Sequence, residues 1–124
     1  MIDWRPQLRN PQLRVYDSGV QSRHGGGYTP GRHGTVMMLS PIVAQEVLRS
    51  ALYDPAEALG GKAPKLWGMH NGTIYQFMYD NQGTWHGFPV MSKPPDHVLS
   101  AWRANETISN SDYKKILKYR NRGA

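Results

Sequence analysis

In "SPIVAQEVLRSAL" the apolar residues Ala44, Val47, Leu48 and Ala51 fall at i, i+3, i+4 and i+7, while Gln45, Glu46 and Arg49 take the polar side. That spacing predicts an amphipathic helix over about 41–53, with Ser40 as its cap and Pro41 in the first turn, where a missing N–H costs nothing. The period then changes. "KLWGMH" and "TIYQFMYD" alternate, and they flank Asn71-Gly72, the residue pair that a tight two-residue hairpin requires. This turn sets His70 opposite Thr73, Gly68 opposite Tyr75 and Leu66 opposite Phe77. His70, Thr73, Tyr75, Phe77 and Tyr79 then share one face, and Trp67, Met69, Ile74 and Met78 share the other. The second face is the more apolar and is expected to pack on the helix, which would leave His70 and the tyrosines accessible.

A second corner, Asp80 to Thr84, suits a three-residue loop with Gly83 in the left-handed region. Trp85 would then pair with Tyr79 and His86 with Met78, so that His86 faces away from His70. A four-residue loop would bring both histidines to one face. After Pro94-Pro95, "DHVLSAWRA" predicts a short helix with Val98, Leu99 and Trp102 inward. A last helix capped by Ser109 or Ser111 carries Tyr113, Ile116 and Leu117 as its stripe. The fold expected is α+β: an N-terminal helix, a small antiparallel sheet over about 65–90, and two short C-terminal helices between about 95 and 119.

Residues 1–38 follow neither period. "RPQLRNPQLR" repeats Pro-Gln-Leu-Arg at a five-residue offset, and "SRHGGGYTPGRHG" sets two Arg-His-Gly units around a glycine run. This segment reads as a basic, Gly/Pro-rich connector or arm, loosely held or extended over a single domain at 39–124.

Composition changes the picture in two ways. The 124 residues suit one domain, and 15 Lys/Arg against 9 Asp/Glu give a net charge of +6. A field of that sign attracts polyanions, nucleic acid first among them, although it also serves solubility. Lys114, Lys115, Lys118, Arg120 and Arg122 crowd the C-terminal helix, as a phosphate grip would, or as cations at a helix C-terminus ordinarily do. There is no cysteine, which excludes disulfides, thiolate zinc and a cysteine nucleophile. The start of the chain lacks the apolar core of a signal peptide, and no apolar run approaches a membrane span.

His-x-x-x-His, Walker and Gly-x-Ser-x-Gly patterns are all missing, so no metal or other cofactor is expected. Histidines beside basic and phenolic groups remain. RNA carries its own nucleophile, and its cleavage needs only a general base, a general acid and a cation at the phosphorane-like state. His70 and His86, backed by Tyr75, Lys65 or Arg103, are the candidate catalytic set. Lys65, Lys114, Lys115, Lys118 and Arg120 are the candidate nucleic-acid contacts. The other reading of the two histidines is structural, as polar groups beside a turn and a tryptophan.

The order "LSPIVAQEVLRSAL … KLWGMHNGTIYQF … GTWHGFPV … PPDHVLSAWRANETISNSDYKKILK" resembles C-terminal effector domains of bacterial polymorphic toxin systems, the variable tips of Rhs-type and contact-dependent secreted proteins. The resemblance spans roughly Leu39 to Lys118. It implies a toxin-like, metal-independent ribonuclease of the barnase, EndoU or colicin-nuclease kind, delivered by a carrier and acting in the cytoplasm of a target cell. It also implies RNA as substrate, tRNA being one candidate, and a small acidic immunity protein as partner. Alternatives are a non-catalytic nucleic-acid-binding module and an ADP-ribosylating effector, although no Arg…Ser-Thr-Ser…Glu set is visible. An inhibitor of a basic nuclease should itself be acidic, which argues against that role here.

Overall fold

Asn71 and Gly72 turn the chain with φ of 49° and 78°, and the strands on either side, β1 (Leu66–His70) and β2 (Thr73–Tyr79), pair antiparallel in the expected register. The computed structural model describes residues 3–18 and 37–119. At the second corner Asp80 N–H donates to the Thr84 carbonyl at 3.0 Å, with Asn81 and Gly83 at φ of 65° and 97°. This is the three-residue loop. It fixes β3 (Trp85–Val90) with Tyr79 opposite Trp85 and Met78 opposite His86. The sheet has three strands in the order β1-β2-β3. Single bridges extend it at both edges, Leu52 beside Trp67 and Tyr16 parallel to Trp85.

Four α-helices surround the sheet among the described residues: α1 (Arg5–Arg9), α2 (Pro41–Ser50), α3 (Asp96–Ala104) and α4 (Asn110–Ile116). The class is α+β, and α2, the sheet, α3 and α4 lie where the periodicity puts them. Ser40 caps α2 by accepting the N–H of Val43. Ser109 and Asp112 form a reciprocal capping box on α4. Helix α3 ends in a Schellman turn, in which Thr107 N–H donates to the Trp102 carbonyl and Glu106 N–H to that of Arg103. Glu106 holds the left-handed position of that turn at φ 62°, where glycine is usual.

The sheet is covered on both sides, and the expected facing is reversed. Leu66, Tyr75, Phe77 and Trp85 pack against Ala44, Val47, Leu48 and Ala51, so the face bearing the tyrosines meets α2. Trp67 and Ile74 pack instead against Val98, Leu99, Trp102, Ile108 and Ile116 of the C-terminal layer. Glycine decides the matter. A Cβ at Gly68 would run into Val47 Cγ1, and one at Gly87 would lie 2.5 Å from Phe77 Cδ2. These two positions let α2 and the Phe77 ring settle directly on the backbone. Phe77, Leu66 and Leu48 reach 0% exposure there, each contributing about 1.5–3 kcal/mol of burial.

Residues 3–18 are not a loose arm. Pro6 lies in the first turn of α1 and Pro11 begins a 3-10 turn, Pro11–Leu13, so neither proline removes a needed donor. Trp4, Leu8 and Tyr16 join the core with α2. Arg14, 2% exposed, donates from Nε to the Gln7 carbonyl and from Nη1 to the carbonyls of Leu48 and Ala51, each at 2.9 Å. It thereby closes the C-terminal end of α2. Burial pushes its guanidinium down to about 10, which leaves it charged at neutral pH. Gln45 bonds the same segment twice, through Tyr16 N and Arg14 O. The glycine run of the expected connector lies outside the described residues.

Two outcomes follow. Gly68→Ala should lower unfolding stability by about 1–3 kcal/mol through overpacking against Val47, read by chemical denaturation. Arg14→Ala leaves three carbonyls without their charged donor and should cost about 3 kcal/mol or more, with loss of the slow amide exchange expected at the C-terminal end of α2.

Candidate functional site

The C-terminal helices cover only part of their face of the sheet. They pack over the rows that contain Trp67, Met69, Ile74 and Val90, while Met78 at the other end stays 37% exposed. His86 is Met78's partner on β3, half-buried on this same face. Phe88, two residues on, shares the face because strand side chains alternate. The two rings lie near-parallel, 28° apart in plane and 6.5 Å between centroids. Lys65 immediately precedes β1, and carrying the β1–β2 register one residue further sets it beside Met78. A row of Lys65, Met78 and His86 thus crosses the open end of the sheet.

Asp80 borders this row at the turn. Its carboxylate accepts the N–H of Gln82 at 2.7 Å, the N–H of Thr84 at 3.1 Å and the Thr84 hydroxyl. Partial burial pushes the carboxyl up, but the bonds from Thr84 and Gln82 and the charge of nearby His86 outweigh that and hold it below its ordinary value. Asp80 and His86 are therefore within electrostatic reach of one another.

The other expected residues divide. His70 ends β1 on the opposite face, the one turned toward α2, so the two histidines do not meet. Tyr75 is 5% exposed and its phenol is pushed up by burial, which makes it a core residue, not an accessible proton carrier. Arg103 is exposed on α3 and belongs to the helix layer, where its Nε donates to Asn110 Oδ1 at 3.0 Å. Lys114, Lys115 and Lys118 are exposed on and just beyond α4, and Arg120 lies outside the described residues. Sequence reasoning alone does not single out Asp80 or Phe88. Their signals were present in the Asp-x-Gln-x-Thr turn and in the i, i+2 spacing of His86 and Phe88.

Among the described residues no three His, Asp or Glu side chains come together to hold a metal ion, and no helix is long and apolar enough to cross a membrane. No family model, curated protein or solved structure matches this chain.

The geometry generates its own check on the Asp80 turn. Asp80→Ala removes three bonds that close the β2–β3 corner and should lower stability by about 1–3 kcal/mol. It should also displace the His86 imidazole signals in a two-dimensional NMR spectrum while leaving those of His70 in place.

Proposed function

We propose that this chain is a toxin-like effector that cleaves RNA without a metal ion, with His86 carrying the proton. The observation that supports this reading best is the setting of His86. It lies on the uncovered end of the sheet, beside Phe88, within reach of the Asp80 charge and in the row that Lys65 continues. His86 would take the proton from a 2′-hydroxyl, and the oxygen so freed would attack the adjacent phosphorus. The P–O5′ bond then breaks, leaving a 2′,3′-cyclic phosphate and a 5′-oxygen that takes a proton from water, and the imidazolium returns its proton to the hydroxide so left. Lys65 offsets the charge gathering on the phosphoryl oxygens, Asp80 favours the imidazolium that forms, and Phe88 offers a base a surface to stack on. The net charge of +6 favours encounter with RNA, tRNA included, and implies that an inhibitor of the protein would be small and acidic.

With excess EDTA, His86→Ala should lose about a hundredfold to ten-thousandfold in cleavage rate at unchanged fold. His70→Ala should keep its activity, since it stands on the far face. Because a single imidazole serves the site, kcat/KM should rise with pH along one limb and then level, without the bell that a second essential histidine would produce. Full activity in His86→Ala, or cleavage that stops with EDTA, would reject this mechanism. RNA that is bound but stays whole would make the chain a nucleic-acid-binding module instead.

A further inference from the structure

Arg103 is oriented by its neighbours on α4 while its outer donors stay unspent. Its Nε is fixed by Asn110 Oδ1 at 3.0 Å, and its guanidinium lies over the Tyr113 ring, 4.6 Å from the centroid. The fork is thus pinned at one donor and flattened on one side. Among the described residues its terminal nitrogens form no hydrogen bond, and no carboxylate comes within ion-pair distance of it. A pre-oriented guanidinium with its outer donors unspent is the group that recognises a planar or tetrahedral oxyanion by paired bonds. Arg103 also borders an open surface hollow of about 410 Å³ with Glu106, Ile108, Ser109 and Asn110.

A cationic track leads away from this hollow. Asn110 and Lys114 are one helical step of roughly 6 Å apart on α4, and Lys118 follows in the turn just beyond it. Lys114, Lys115 and Lys118 are exposed, and none is ion-paired among the described residues. A helix C-terminus favours cations at Lys114 and Lys115 and, on α3, at Arg103, but it does not call for the bond to Asn110 and the stacking on Tyr113 that orient the guanidinium. Two acids stand nearby. Asp112 is occupied in the capping box, where Ser109 N–H donates to it at 3.2 Å, and Glu106 remains at the edge of the hollow.

We infer that the α3–α4 corner is a second anion site, one that grips the phosphodiester backbone of a single-stranded nucleic acid, with Arg103 as its oriented anchor and the α4 lysines as its track. The identity of the polymer rests on the function proposed above. Helices α3 and α4 cover the same side of the sheet that carries His86. Arg103 is therefore a binding residue and takes no part in proton transfer. Glu106 tempers the site, since its carboxylate repels the same phosphates.

The test uses a fluorescein-labelled single-stranded DNA, which lacks the 2′-hydroxyl and so cannot be cleaved by the proposed chemistry, with binding read by anisotropy over a salt series. Arg103→Ala should weaken binding about tenfold and make the slope of log K against log salt shallower by about 0.7, one phosphate's share on a single strand. Arg103→Lys, which keeps charge but not the fork, should remain about fivefold weak, and Glu106→Gln should bind about twofold to threefold tighter. His70→Ala, on the far face, should bind as the parent does. Because the probe cannot be cleaved, its binding is read whether or not His86 carries the proton, so failure of the histidine mechanism and failure of this site are separable. Arg103→Ala within twofold of the parent, or full recovery by Arg103→Lys, would overturn the proposal. So would polyglutamate competing as well as the oligonucleotide at equal charge, which would make the corner a face for acidic protein.

Discussion

β2 serves two cores at once, and everything on either side of the sheet depends on its alternation. Tyr75 and Phe77 enter the layer formed by α2 and the N-terminal segment, while Ile74 enters the layer formed by α3 and α4. A shift of one residue would exchange these sets, carrying Phe77 out of its closed site and moving His86 to the other side. Two turns prevent that slip. Asn71-Gly72 accepts positive φ at both positions, and the Asp80 carboxylate clamps the second corner by gathering donors from Gln82 and Thr84.

The second requirement is closure of the α2 side. The helix has only ten residues and could not shield Trp85 and Phe77 unaided. Trp4, Leu8 and Tyr16 complete that layer, and the Trp85 indole donates to Gln7 Oε1 at 2.9 Å. Docking the segment buries a guanidinium with no carboxylate partner among the described residues, a costly choice unless every acceptor is well placed. Carbonyls from two separate elements meet Arg14, so the charge that is expensive to bury also joins the segment to the helix end. This arrangement tolerates little substitution, because lysine's single nitrogen cannot reproduce the guanidinium's divergent donors.

Local rules made much of this readable. The Asn-Gly turn, the Ser-Pro start of α2 and the Val98, Leu99, Trp102 stripe act over a few residues and were visible in the chain. What failed was nonlocal. Counting apolar residues favoured the Trp67 face for α2, but close approach of a helix depends on missing side chains as much as on apolar ones, and Gly68 and Gly87 supply the gaps. The N-terminal segment escapes local rules for a related reason. Its apolar residues are few and unperiodic, and only tertiary contact shows that Trp4, Leu8 and Tyr16 converge. For the candidate site, His86 and Lys65 are legible as residue types, whereas the separation of His70 from His86 and the burial of Tyr75 require knowing which face is covered.

One side of the molecule thus gathers the half-buried His86, its aromatic and acidic neighbours and the oriented arginine, while the other is closed by core packing. The most direct measurement is a chemical-shift titration of the histidine rings, the Phe88 ring and the Arg103 Nε–H signal with an uncleavable single-stranded oligonucleotide. The account predicts that His86, Phe88 and Arg103 move together with one saturation curve while His70 stays still. Movement of His70 with no response at His86 would contradict it.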